Sequence, residues 1–309
     1  MRGMLAAPDT ELAAVCDVYD TNAARASKTL TDGKAKTIKD FRRVLEMKEV
    51  DAIYVATPDF WHSNHTVLGL EAGKPVFVEK PFALTIREGR VMVEAAARTK
   101  KILMPATQHR SAPHIIEAAS MVASGEIGQV GLVRAWNSRN IAGMWPHQMA
   151  GQYDRPHGFA FYGGKAALYV DRLGWELFPE TGRRGGAAGE RKFRQGDDAS
   201  SLHAQNFVKQ IRIGTKGEVD DMSGFRSTST CHLGTIAARV NHKIQWKEQK
   251  DELPNDPAAS RLLTRTFRKP YDLIKLSGQP SYVLALAGHP RSGWPANLPF
   301  GALPTCIPP

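Results

Sequence analysis

The residues of this chain whose types and spacing could do chemistry stand at the ends of short apolar runs. Val50-Asp51-Ala52-Ile53-Tyr54-Val55-Ala56 ends in Thr57-Pro58, and Pro75-Val76-Phe77-Val78 ends in Glu79-Lys80-Pro81. A lysine that follows an apolar strand carries its ammonium past the strand's end and into the cleft that opens there. As a bare dipeptide, Lys80-Pro81 reads more readily as a solvated turn. Asp17 closes the run from Leu12 to Val18. An acid there serves either to hold hydroxyl groups at a sheet edge or to cap the next helix. Two histidine pairs, His62 with His65 and His109 with His114, have spacings that invite a metal. Neither has a nearby cysteine or a matched carboxylate, which argues against a zinc site.

These residues need elements to position them. From Glu11 to Asn137 the sequence alternates β-rich runs with amphipathic stretches, the pattern of βαβ units and a mainly parallel sheet. Strands are predicted at Leu12–Val18, Ala52–Ala56, Pro75–Val78 and Ile102–Ala106. Helices are predicted at His62–Ala72, from the Thr85/Glu88 capping box to Arg98, and around Ile115–Ser124. Gly125-Glu126-Ile127-Gly128 forms a turn, and Val130–Asn137 opens a second region. There Gly158–Tyr162, Ala166–Val170 and Trp175–Phe178 read as antiparallel strands, with Gly163-Gly164 as a hairpin signal. Residues 181–195 read as an exposed Gly- and Arg-rich loop. Ala204, Phe207, Val208 and Ile211 then mark one face of a helix, and Ser227–Val240 a second helix, both expected to pack back on the first half.

The expected fold is α/β: a Rossmann-like doubly wound parallel sheet, followed by an α+β domain with a mainly antiparallel sheet. Boundaries fall at 1–125, 126–272 and a proline-rich, charge-poor tail over 273–309. A length of 309 residues suits two domains. No run approaches the roughly 18 to 20 apolar residues of a membrane span, and no signal peptide is legible, so the chain reads as soluble and cytoplasmic. The three cysteines, Cys16, Cys231 and Cys306, have no paired spacing and read as reduced thiols. Lys and Arg outnumber Asp and Glu by 41 to 31 for a net charge of +10. The basic residues are scattered, and the densest group, Arg183 to Arg194, lacks aromatic partners, so nucleic acid is not the expected partner.

The string Val50 to Pro58, His62, then Ala72-Gly73-Lys74-Pro75 running into Glu79-Lys80-Pro81 resembles the Gfo/Idh/MocA oxidoreductases. The likeness continues through Gly125–Gly128 and through Ser227-Thr228-Ser229-Thr230-Cys231-His232-Leu233-Gly234, which is similar to a bacterial branch; it covers most of Leu5 to Tyr271. The resemblance implies NAD as cofactor and a secondary hydroxyl of a sugar, inositol or related polyol as the reacting group. It implies that Lys80 binds the nicotinamide ribose and the substrate hydroxyl and helps to hold or relay a proton. Thr57, Pro58, Trp61, His62 and Glu79 would line the dinucleotide, with Gln108 near the nicotinamide end. Asp17 would hold the adenosine ribose and repel a 2′-phosphate, favouring NAD over NADP. Family members commonly form homo-oligomers, so one is expected here.

Two parts of the family pattern are not found in the sequence. Its opening strand and Gly-x-Gly-x-x-Gly turn would precede the residues present here, with Gly3 as a remnant, and no Asp-x-x-x-His arrangement lies between Asn140 and Gly158. His147 and His157 stand nearby in another context. The expectation is a family member shortened at its start and internally deleted, with a sheet lacking a central strand. The alternatives are an NAD-dependent glycosidase of the same fold and a non-catalytic dinucleotide-binding remnant.

Overall fold

The computed structural model describes residues 1–137, 157–180, 189–217 and 219–267. Helix α1 (Arg2–Leu5) leads into strand β1 (Ala14–Cys16), α2 (Asp20–Thr31), β2 (Lys36–Ile38) and α3 (Phe41–Glu46). Then come β3 (Ile53–Val55), α4 (His62–Glu71), β4 (Val76–Val78), α5 (Ile86–Thr99), β5 (Leu103–Pro105) and α6 (Pro113–Ala123). Every strand pair in this half is parallel. The strands form two sheets, β2-β1 and β3-β4-β5, and β1 does not pair with β3 among the described residues. The parallel sheet, expected to lack a central strand, is split in two, and its strands are only three residues long.

The helices start where local chemistry dictates. Thr85 Oγ1 accepts from the Glu88 amide at 3.3 Å and donates to Glu88 Oε2 at 3.0 Å, so Thr85 caps α5 as expected, with Glu88 bound to its hydroxyl in place of its backbone N–H. Pro113 opens α6, where its missing N–H costs nothing. Elements α2, β2 and α3 are not legible in the sequence, because their residues are mostly polar and half-exposed and an apolar period is nearly absent.

Strands β6 (Val130–Asn137), β7 (His157–Gly163), β8 (Ala166–Asp171), β9 (Gly174–Pro179) and β10 (Lys192–Gln195) form one antiparallel sheet in sequence order. Gly163-Gly164 turns the chain between β7 and β8, as its type predicts. A side chain at Gly163 would lie 2.0 Å from the Ile127 carbonyl, so the hairpin needs glycine to seat against the Gly125–Gly128 turn. Strand β10 corrects the loop expected over 181–195. Its residues carry charges on an exposed edge and pair through the backbone with β9, which composition does not reveal. Residues 181–188 and the tail 273–309 lie outside the described residues.

Helices α7 (Ala199–Ile213), α8 (Asp221–Val240) and α9 (Pro257–Ser260) return to the parallel sheet. One face of β3-β4-β5 buries Leu70, Val76, Met92 and Leu103 against Phe225 and Ile236 of α8. The other buries Phe77 and Met104 against Met4, Ala204 and Phe207. Each fully buried aliphatic or aromatic side chain contributes about 1.5–3 kcal/mol, so the two layers fix the strand ends that follow. Gly224 lets α8 pass close to β5, since a Cβ there would lie 2.8 Å from Pro105. A third core joins α6 to the antiparallel sheet through Ala118, Leu168, Trp175 and Leu177.

Candidate functional site

The carboxyl ends of β3, β4 and β5 bring Thr57-Pro58, Glu79-Lys80-Pro81 and Thr107-Gln108 to one edge. Edges of this kind are where doubly wound sheets bind ligands. Lys80 is exposed there, and its peptide bond to Pro81 is cis. Glu79 accepts from the Tyr54 hydroxyl at 2.6 Å and from the Lys80 amide at 3.1 Å, which fixes the corner from which the lysine projects. Burial, followed by that contact with Glu79, pushes the Tyr54 hydroxyl well above its usual range, so it stays a donor.

His62 lies 1% exposed at the start of α4. Its Nδ1 faces the Pro81 carbonyl at 2.7 Å and its Nε2 the Thr57 carbonyl at 2.9 Å. The ring therefore sits between the two loops, close to both carbonyls, and a neutral imidazole donates to one of them. Trp61, half-buried, stacks on His65 at 5.3 Å and 18°. His65 also packs edge-on against Phe41, and burial, then His62, lowers its pKa to about 4. The spacing of His62 and His65 therefore serves packing. Among the described residues no cluster of three or more His, Cys, Asp or Glu is arranged to hold a metal.

The turn Gln108–Ser111 is held by residues that sequence analysis missed. His203 of α7, 1% exposed, donates from Nε2 to the Pro105 carbonyl at 2.8 Å, which leaves Nδ1 to accept from the Ser111 hydroxyl at 2.7 Å. Asn206 Nδ2 donates to the same Ser111 oxygen at 3.1 Å. Burial lowers the His203 pKa, which keeps the ring neutral and suits this chain of donors and acceptors. No spacing signals it, because Ser111 and His203 stand 92 residues apart.

Asp17 follows β1, and its Oδ1 accepts from the Tyr19 amide at 2.8 Å in a turn leading to α2. Its other oxygen has no hydrogen-bond partner among the described residues. The exposed Val18 and Tyr19 flank it. Thr57 Oγ1 and Thr107 Oγ1, at the ends of β3 and β5, are buried without a partner among the described residues. A half-free carboxylate after β1, orphaned hydroxyls after β3 and β5, and an ammonium after β4 fit the ribose and nicotinamide portions of a dinucleotide. Fold and edge together define a dinucleotide-binding α/β protein with an appended antiparallel sheet.

Comparison with known proteins agrees. Residues 2–107 match the family model described as "Oxidoreductase family, NAD-binding Rossmann fold", and residues 190–273 match "Oxidoreductase family, C-terminal alpha/beta domain". The chain is 38% identical over 122 residues to D-xylose 1-dehydrogenase (NADP(+)) of Hypocrea jecorina, covering 39% of this chain and 31% of that one. It is 29% identical to 1,5-anhydro-D-fructose reductase of Ensifer adhaerens, covering 86% of this chain and 82% of that enzyme. Among solved structures, aldose-aldose oxidoreductase from Caulobacter crescentus complexed with glycerol superposes with a TM-score of 0.60 at 19% identity, over 78% of this chain and 93% of that one. The chain belongs to the Gfo/Idh/MocA oxidoreductase family.

Proposed function

We propose that this protein is a nicotinamide-dependent oxidoreductase acting on a secondary hydroxyl of a sugar or polyol. The observation that carries the reading is the meeting of Lys80, Thr57 and Thr107-Gln108 at one sheet edge, in a family whose members include sugar dehydrogenases and reductases. Bound there, the nicotinamide supplies the hydride chemistry. Lys80 hydrogen-bonds the nicotinamide ribose and the reacting hydroxyl, and relays the proton that the hydroxyl loses. Tyr54 and Glu79 hold the backbone from which it acts, His62 ties that corner to Thr57, and the His203–Ser111–Asn206 chain sets Gln108 beside them. Trp61 and Pro58 border the same edge.

NAD is favoured over NADP because the half-free Asp17 carboxylate accepts from ribose hydroxyls and repels a 2′-phosphate. Exposed Leu132, Val133 and Phe159 on β6 and β7 support self-association, which sedimentation at several concentrations tests. Among the described residues no helix is long and apolar enough to cross a membrane.

The decisive experiment titrates the full chain with NADH and NADPH by nucleotide fluorescence, then measures turnover across aldoses, inositols and anhydro sugars. Lys80→Ala is expected to lower turnover by about 10² to 10⁴ while leaving saturable NADH binding in place. A folded protein that binds neither nucleotide refutes the reading.

A further inference from the structure

The loop that carries Lys80 out of β4 has no ladder of its own. Lys80 to Ala83 lie between β4 and α5, and among the described residues the backbone bonds they make run to side chains. The Lys80 amide donates to Glu79 Oε2 at 3.1 Å, and the Pro81 carbonyl lies 2.7 Å from His62 Nδ1. Two further partners come from α8. The Phe82 amide donates to Thr228 Oγ1 at 3.3 Å, and His232 Nε2 lies 2.9 Å from the Ala83 carbonyl. A carbonyl only accepts, so that nitrogen carries a proton. Phe82 and Ala83 are each 1% exposed, so water is a poor substitute for either partner.

Helical spacing puts these partners on one stripe. Gly224, Thr228 and His232 recur at i, i+4 and i+8, with Ser227 beside them at i+3. Gly224 opens the stripe. A Cβ there would come within 3.1 Å of Phe82 Cδ2 and 2.8 Å of Pro105, so its absence lets α8 approach the ends of both β4 and β5. Phe225 and Ile236 anchor the same helix in the core. Ser227 donates to the Ser223 carbonyl at 2.8 Å and accepts from Arg110 Nη2 at 2.9 Å, and Arg110 belongs to the turn that carries Gln108. One helix thus holds the loop after β4 and the turn after β5.

Resting on the dehydrogenase reading and extending it, we propose that Thr228 and His232 are positioning residues: they hold the loop backbone so that the Lys80 ammonium meets the nicotinamide ribose and the reacting hydroxyl. Lys80 is exposed and makes no ion pair among the described residues, so its direction comes from the backbone that bears it. A misplacement of about 1 Å at a reacting group costs about 10²-fold in rate, which is the scale of the demand on these two contacts.

The test uses the full chain with NADH and with ADP, which lacks the nicotinamide and its ribose, while hydrogen exchange over residues 79–83 reads the loop directly. Thr228→Val and His232→Leu each remove one loop contact, whereas Thr228→Ser keeps an acceptor and His232→Gln a donor. Each removal is expected to raise exchange across 79–83 by about tenfold and to lower the NADH-over-ADP affinity ratio by about fivefold. The conservative variants should stay within about twofold of wild type. In a Lys80→Ala background the same removals should leave the ratio unchanged, because they act through that lysine. The far-ultraviolet spectrum and melting midpoint show which variants are folded, and the two positions are tested separately, so one folded removal suffices. Unaltered exchange, equal losses for NADH and ADP, or a loss of ratio that persists without Lys80 overturns the inference. Nucleotide binding by the wild type with an unchanged ratio in the variants sinks the positioning role alone. Exchange that loosens as expected in a folded protein that binds neither nucleotide sinks the dehydrogenase reading alone and leaves the loop contacts standing.

Discussion

Arg265 grips a buried carboxylate from a segment that sequence reasoning left unassigned. Its Nε and Nη2 donate to Glu88 Oε1 at 3.0 and 2.7 Å, and Nη2 also reaches the Phe60 carbonyl at 2.7 Å, next to Trp61. Glu88 is fully buried, with Ser63 and Thr85 hydroxyls as its other side-chain donors at 3.0 Å each. Removing one partner of a buried pair costs about 3–5 kcal/mol. The arginine side chain is 30% exposed, so water screens part of the loss, and the two hydroxyls stay in place. We therefore expect Arg265→Met to destabilise the fold by about 2–3 kcal/mol. Adding Glu88→Gln removes the stranded charge while keeping an acceptor oxygen for the Thr85 hydroxyl, and should recover about 1–2 kcal/mol. Urea unfolding of the wild type, both single variants and the double at pH 7 supplies the cycle. A single variant within about 0.5 kcal/mol of wild type, or a double variant as unstable as the sum of the singles, would falsify the assignment of a buried, coupled pair.

Other consequences are open to direct measurement. Asp17→Ser removes the acceptor and the negative charge at the end of β1, so the NADH-over-NADPH affinity ratio should fall by about ten- to hundredfold; an unchanged ratio removes Asp17 from the ribose site. His65, whose pKa is lowered to about 4, stays neutral in the native state while the unfolded chain takes up a proton below about 6.5. Its contribution is full above pH 6.5 and falls by about 1.4 kcal/mol per unit until about pH 4. His65→Phe keeps a ring against Trp61 and Phe41 but cannot titrate, so its stability should fall about 2 kcal/mol less than wild type between pH 6.5 and 5. His109 and His203, also lowered, act in both proteins and cancel in that difference. Equal pH slopes for the two proteins would count against burial of the neutral ring.

The sequence by itself determined the elements whose pattern is local. The apolar runs before Thr57, Glu79 and Thr107 are strands, Thr85 with Glu88 starts α5, and Gly163-Gly164 turns a hairpin, because each depends on neighbours within a few residues. It also gave the α/β class, the antiparallel second sheet and the sheet-edge lysine. Tertiary structure decided the rest. That His62 lies between two loop carbonyls depended on the fold bringing Pro81 to within 2.7 Å of its ring. Charged β10 became a strand only by pairing with β9, and polar α2, β2 and α3 gave no apolar period to read. Ser111 with His203 and Glu88 with Arg265 are joined by packing across long stretches of chain. Composition and spacing do not encode such pairs, because their energy exists only after both layers have closed on the parallel sheet.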